Sequence, residues 1–96
     1  FRSLIRHLFR GRSSEKTEFY AQQWARALRE NPIEGLTVRG PAAAPLEKMK
    51  GLYRHHLFYF TNEVTRVVRE LEIKRNAFPL DREVHDILDV DAQNIH

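Results

Sequence analysis

FRSLIRHLFRG, residues 1–11, is the stretch that decides the fold, because its apolar residues fit two different periods. Phe1, Leu4 and Leu8 recur at the spacing of an amphipathic helix, and arginine stands at every fourth position. With a period of two, Leu4 and Leu8 instead point to one side of a strand and Ile5 points to the other. The elements that follow in the chain favour the strand.

Two later segments have the apolar period of helices. The first covers residues 14–30, where Ser13 or Ser14 can serve as the N-cap and the sequence ENP ends the helix. The second reads TNEVTRVVRELEIKRN, with Thr61 or Asn62 as its cap and branched apolar residues at helical spacing.

Three shorter segments are predicted as strands, at residues 36–39, 52–60 and 83–91. Residues 42–51, which contain proline and alanine, are predicted as a connection. With residues 1–11 as a strand, the order becomes βαββαβ, the split βαβ or ferredoxin-like arrangement. We therefore predict an α+β domain over residues 1–96, with a four-stranded antiparallel sheet and two helices on one face.

The composition excludes several classes of protein. The 96 residues suffice for one core, and the absence of cysteine excludes disulfides, zinc fingers and thiol catalysis. The longest apolar run, LFYF, is far shorter than a membrane span, and arginine interrupts the opening run every few residues, unlike the apolar core of a secretory signal. Because the chain begins with Phe rather than Met, we expect it to be a piece of a larger protein.

The charge is distributed unevenly. The net charge is +3 and the isoelectric point is near 9.6, yet residues 1–12 contain four arginines and no acid. Residues 81–91 contain five acids and one arginine. Clustered arginines in a basic chain favour a surface that binds a polyanion.

The histidines and acids give no pattern typical of a catalytic or metal site. His55 and His56 are adjacent, so on a strand they point to opposite faces and cannot chelate together. Asp89 and Asp91 share a face, but Asp89 is better explained by capping a turn or pairing with an arginine. The chain also lacks phosphate-binding and nucleophile motifs. We predict no active site, no bound metal and no cofactor in this fragment.

Basic and aromatic residues alternate near the third strand, as they do in proteins that bind single strands. The RNA-recognition signature of this fold is nevertheless absent from GLYRHHLFYF. Tyr53 can stack on an exposed base or belong to the core. The predicted nucleic-acid contacts are Arg39, Lys48, Lys50, Arg54 and Tyr53, with Arg2, Arg6, Arg10 and Arg12 as a second cluster.

Three segments resemble a known family. GPAAAPLEKMKGLYRHHLFYF is similar to G-P-x-x-A-P-(apolar)-x-(K/R)-(apolar)-x-G-x-(Y/F)-R in the C-terminal domain of the primosomal protein N′ family, the bacterial replication-restart DNA helicases. ILDVDAQNIH resembles its closing (I/L)-D-V-D-P-x-x, and residues 1–11 resemble its strand after Pro-Pro-Phe, with Phe1 as the retained Phe. The matching positions are Gly40, Pro41, Ala44, Pro45, Leu46, Gly51, Tyr53, Arg54, Asp89, Val90 and Asp91. Ala92 replaces a proline, and His55 and His56 stand where the family often has Trp-Gln.

The resemblance implies a parent protein that is an ATP-dependent 3′–5′ DNA helicase, with ATP, magnesium and zinc bound outside this fragment. It implies a ferredoxin-like domain that helps to bind forked or single-stranded DNA and packs on the helicase lobes. The expected partners include the single-stranded-DNA-binding protein and primosome proteins, with no membrane contact. The expected location is the bacterial cytoplasm, at replication forks.

Two other functions fit the same residues. The basic face can dock protein, either the motor lobes or an acidic partner peptide. The chain can also be a stand-alone RNA-binding domain of the same fold.

Overall fold

A computed structural model describes residues 2–90, which form six elements in the order β–α–β–β–α–β. The strands are β1 (Ser3–Gly11), β2 (Thr37–Met49), β3 (Leu52–Thr61) and β4 (Val84–Val90). The helices are α1 (Ser14–Glu30) and α2 (Val64–Ala77). The four strands form one antiparallel sheet in the order β2-β3-β1-β4, so the predicted ferredoxin-like α+β fold is confirmed. Phe1, Ala92 and Asp91, which were part of the sequence predictions, lie outside the described residues.

The first segment is a central strand, as the order of elements predicts. Strand β1 pairs with both β3 and β4, and its residues Ile5, His7 and Phe9 are fully buried. These residues share a core with Trp24 of α1 and Leu71 of α2, so both helices cover the same face of the sheet. Burial of this apolar surface is the main source of the fold's stability.

Helix α1 begins where its sequence predicts. The Ser13 Oγ accepts a hydrogen bond from the Lys16 amide at 3.1 Å, which satisfies one of the amides left open at a helix start. The helix ends at Glu30 with Asn31 as its C-cap, since Pro32 disfavours helical backbone at the residue before it. Neither described helix has the length and apolar character needed to cross a bilayer.

Helix α2 starts later than predicted, and its predicted caps are wrong. Its N-cap is Glu63, which makes no capping bond through its side chain. The Thr61 hydroxyl instead accepts a hydrogen bond from the Glu63 amide at 2.9 Å, forming a turn before the helix. Asn62 is exposed and lies outside the helix.

The predicted connection at residues 42–51 is wrong for most of its length, because β2 continues to Met49. Met49 pairs with Leu52 across a two-residue turn. Lys50 and Gly51 both have positive φ, 53° and 79°, which matches the twist of a tight hairpin and explains the glycine. Residues 37–61 therefore form one long hairpin at the edge of the sheet.

Two irregularities in β2 allow it to contain prolines. The register shifts between Arg39 and Ala42 and again between Ala43 and Lys48. Bulges at an edge strand release the ladder bonds that a proline cannot make. The guanidinium of Arg54 holds the second bulge, since its Nη1 donates to the carbonyl oxygens of Pro45 and Leu46 at 3.1 and 3.3 Å.

Candidate nucleic-acid interface

The sheet has one face without helices, which we call the open face. Side chains alternate along a strand, and the odd-numbered residues of β1 lie under the helices. The cross-strand register then places Phe58 and Asp89 beside Arg6 on the face of the sheet that has no helices. The open face consists of Thr37 and Arg39 of β2, Arg54, His56, Phe58 and Phe60 of β3, Leu4, Arg6, Leu8 and Arg10 of β1, and His85, Ile87 and Asp89 of β4, with Arg2 at its margin.

The fold brings five of the predicted contact residues to this face: Arg2, Arg6, Arg10, Arg39 and Arg54. Within residues 2–90, no carboxylate forms an ion pair with Arg6, Arg10, Arg39 or Arg54. Asp89 stands directly across from Arg6 and is the only acid at the open-face positions defined above. The face is therefore positively charged and not neutralised by the described part of the chain.

Three of the five arginines on the helices are paired with acids. Arg26, Arg66 and Arg75 each bind at least one carboxylate at its own helix or at the neighbouring strand. Arg75, for example, reaches Asp86 through Nε at 2.8 Å and Glu72 through Nη1 at 2.7 Å. Within residues 2–90, no ion pair of this kind involves Arg6, Arg10, Arg39 or Arg54 on the open face.

Aromatic rings lie between the arginines of the open face. The guanidinium carbons of Arg2 and Arg39 lie 5.3 and 5.9 Å from the centre of the Phe60 ring, and Arg2 also donates to the Thr37 hydroxyl. The rings of His56 and Phe58 are 4.5 Å apart. Rings flanked by cations offer both stacking and charge to a single-stranded nucleic acid.

A pocket of about 400 Å³ opens within this face. It is lined by Arg6, Pro45, Arg54, His56 and Phe58. Burial lowers the pKa of His56 below its ordinary value, and the guanidinium groups of Arg6 and Arg54 lower it further. The histidine is therefore neutral at pH 7, in a pocket that already has two fixed positive charges.

The other predicted contact residues lie elsewhere. Lys48 and Tyr53 are cross-strand partners near the hairpin end, with Nζ of Lys48 5.1 Å from the Tyr53 ring. Tyr53 is two positions from the buried His55 and so lies on the same face of β3. Lys48 and Tyr53 therefore point to the helical side of the sheet. Lys50 occupies the hairpin turn.

Arg12 lies just past the end of β1 and lines a separate pocket with Arg82 and His85. The histidines at 55 and 56 do point to opposite faces, as the sequence predicts. His55 is buried, with its Nε2 3.8 Å from Glu47.

Sequence reasoning missed the rings at positions 56, 58 and 60 as a set. These residues and Arg54 differ by two positions, which is the signal that places them on one face of a strand. The sequence did not indicate which of the two faces the helices would cover.

A second feature that sequence reasoning missed is a buried polar network behind β1. The Trp24 Nε1 donates to the Tyr59 hydroxyl at 2.6 Å, and that oxygen lies 2.7 Å from Nδ1 of His7. The His7 Nε2 lies 2.7 Å from Oδ2 of Asp86, which also binds Arg75. His7 and Asp86 are 79 positions apart in the sequence, so no local sequence pattern predicts their contact.

Protons in this network have one consistent arrangement. Trp24 can only donate, so the Tyr59 hydroxyl accepts from it and donates its own hydrogen to Nδ1 of His7. The remaining imidazole hydrogen is then on Nε2, facing Asp86. Burial lowers the pKa of His7, which agrees with a neutral ring, and burial raises the pKa of Tyr59 far above its ordinary value. Every member is hydrogen-bonded, so we interpret the network as structural.

No group of three or more potential metal ligands comes together within residues 2–90. A scan against protein-family models matches no family, and a search of curated proteins finds no match.

Proposed function

We propose that this domain is a non-catalytic nucleic-acid-binding domain that holds a single-stranded segment across the open face of its sheet. The observation that carries the proposal is the open-face set of Arg6, Arg10, Arg39 and Arg54, which have no acidic partner among the described residues and are interleaved with rings. Arginines neutralise phosphates and release counterions, whereas exposed rings stack on bases that are not paired. A flat array of rings has access to bases only where the duplex is open. Contacts of this kind position the strand and do not read its sequence.

The family resemblance extends the proposal to a biological setting. The ferredoxin-like fold and the Gly-Pro and Asp-Val-Asp motifs support a place in a replication-restart helicase of the bacterial cytoplasm. In that setting the single strand belongs to a stalled fork, and the rest of the helicase supplies ATP-driven movement. The helicase lobes, the single-stranded-DNA-binding protein and other primosome proteins are then its partners.

The test is fluorescence anisotropy of the 96-residue chain with labelled single-stranded, forked and duplex DNA over a salt series. Four phosphate contacts predict a log–log slope of about −3 on the single strand. We expect the single strand and the fork to bind more tightly than the blunt duplex. Equal binding to all three would contradict the role of stacking, and no binding at low salt would contradict the proposal itself.

A matched pair of variants tests the face. Arg39→Ala removes an open-face cation, while Arg69→Ala removes an exposed cation from α2 with the same change in charge. We expect Arg39→Ala to weaken binding and to reduce the salt slope by about 0.7, the contribution of one phosphate contact. Arg69→Ala should leave both quantities unchanged. Equal effects would mean that only net charge matters.

A protein-docking function has its own supporting observation at the hairpin end. Leu46 is 73% exposed and Met49 is 42% exposed, beside the cations of Lys48 and Lys50. Exposed apolar side chains next to lysines fit a contact with an acidic protein surface. The double variant Lys48→Ala, Lys50→Ala separates the two functions. Docking predicts that it lowers affinity for the helicase lobes and leaves DNA affinity nearly unchanged.

A further inference from the structure

Arg6, which lines the pocket on the open face, has a polar atom with no partner among the described residues. The Nε of Arg6 is shielded from solvent and makes no hydrogen bond within the described chain. A buried N–H without an acceptor costs about 1–3 kcal/mol, so a shift of the Arg6 side chain that brings Nε to an oxygen of a ligand in the pocket recovers that cost. Asp89, although opposite Arg6 in the register, does not supply such an oxygen.

Arg54 approaches the same pocket in a fixed orientation. Its Nη1 is bound to the carbonyl oxygens of Pro45 and Leu46, which holds the guanidinium against the bulge of β2. No described residue binds its Nε or Nη2. A guanidinium already ordered by the protein loses little further freedom when it binds an anion, which favours affinity.

Arg54 and Arg6 lie at the two ends of the pocket, with His56 and Phe58 between them. The side chains facing His56 from the neighbouring strands are Leu8 of β1 and Ala42 of β2, neither of which is charged. The charges that act on His56 are those of Arg6, Arg54 and the adjacent His55. The volume, about 400 Å³, lies at the lower end of the range for small-ligand sites, about 300–1,000 Å³.

We propose that this pocket is a single-nucleotide subsite, in which the base stacks on Phe58 and His56 while Arg6 Nε and Arg54 bind the phosphates on its two sides. This inference rests on the proposed function and makes it specific, because it assigns one nucleotide of the bound strand to a defined position. Guanidinium groups bind phosphate through paired N–H donors, and the Nε edge of Arg6 offers such a pair. The subsite accepts any base, since the rings present a face rather than hydrogen-bonding groups in a set pattern.

The decisive variant is Arg6→Lys, which keeps the charge and removes the Nε donor. Its control is Arg10→Lys, on the same strand and face but outside the pocket. With a labelled oligothymidine in the anisotropy assay, we expect about a tenfold loss for Arg6→Lys, the effect of one charge-assisted hydrogen bond. Arg10→Lys should lose twofold or less. Equal losses for the two variants would overturn the subsite while leaving the proposed function intact, whereas absence of wild-type binding would overturn both.

A second measurement does not depend on affinity. In two-dimensional NMR of the wild-type chain, the Nε–Hε signal of Arg6 should shift strongly when the oligothymidine is added. The pKa of the His56 ring should rise in the complex, because the phosphates offset the two guanidinium charges. A static Arg6 signal or an unchanged His56 pKa in the saturated complex would contradict the assignment. Phe58→Leu, with Phe19→Leu on the exposed side of α1 as its control, tests the stacking contact in the anisotropy assay.

Discussion

The hydroxyl of Tyr59 is the centre of the buried network, and its removal gives a prediction with a size. In Tyr59→Phe the ring still fills its site, but the indole N–H of Trp24 and Nδ1 of His7 each lose their partner. Trp24 is 2% exposed and His7 is 0% exposed, so water does not replace the hydroxyl. Each buried polar atom without a partner costs about 1–3 kcal/mol, and we expect a loss of about 3 kcal/mol in the free energy of unfolding.

The assay is urea unfolding followed by the fluorescence of Trp24, the only tryptophan in the chain. In thermal unfolding, a loss of about 3 kcal/mol corresponds to a fall in Tm of ~12 °C or more for a domain of this size. Tyr53→Phe is the matched control, since Tyr53 is half-buried and its hydroxyl has no hydrogen-bond partner among the described residues. If Tyr59→Phe changes stability by less than about 0.5 kcal/mol, as expected for the control, the proton arrangement inferred for the network is wrong.

Three further predictions concern the pH dependence of stability, Gly11 and Asp89. Because the pKa of His7 is lowered in the folded domain, the unfolded chain binds more protons below the ordinary histidine value of 6.5, and stability should fall as the pH drops from 7.5 to 5.5. The hydrogen bonds that lower the pKa of Asp86 should add to this loss of stability below about pH 4. A urea midpoint that does not change with pH would refute both effects. NMR titration of the His7 ring shows whether His7 causes the loss between pH 7.5 and 5.5. Gly11→Ala places a Cβ 2.7 Å from the carbonyl oxygen of Glu83 and should cost about 1–3 kcal/mol by thermal unfolding, whereas Gln22→Ala on the exposed side of α1 should cost little. Asp89→Asn removes the acid of the open face and should tighten DNA binding about twofold in the anisotropy assay; weaker binding would mean that the carboxylate has a positive role there.

Local patterns predicted the elements of this fold well where burial has a regular period. Residues 1–11 could be read as a helix or a strand, and the order of the later elements, not the segment itself, decided correctly for the strand. Helix α1 agrees with its prediction over its whole length, since cap, apolar stripe and final proline all act within the segment. The outer half of β2 was missed because Pro41 and Pro45 oppose a regular strand. Its conformation depends on the ladder to β3 and on Arg54, which lies nine residues from Pro45.

The candidate site was predictable in its charge but not in its composition. The sequence indicated the arginines of β1, and their alternation with Ile5 and Phe9 places them on one face. It could not separate Lys48 and Tyr53 from that set, because the bulge in β2 and the register with β3 decide which way this pair points. The contact between His7 and Asp86 depends on the pairing of the first and last strands, which only the complete sheet determines.

Arg54 belongs to two structures at once, the bulge of the outer hairpin and the wall of the pocket. In the proposed subsite, this guanidinium would therefore link binding at the two regions. A partner that alters the shape of the hairpin on binding would change the orientation of Arg54 and hence the affinity of the pocket for phosphate. Linkage is reciprocal, so an occupied pocket would change the affinity of the hairpin for that partner by the same factor. One side chain would thus couple nucleic-acid binding in the pocket to protein binding at the hairpin on the neighbouring β-strand.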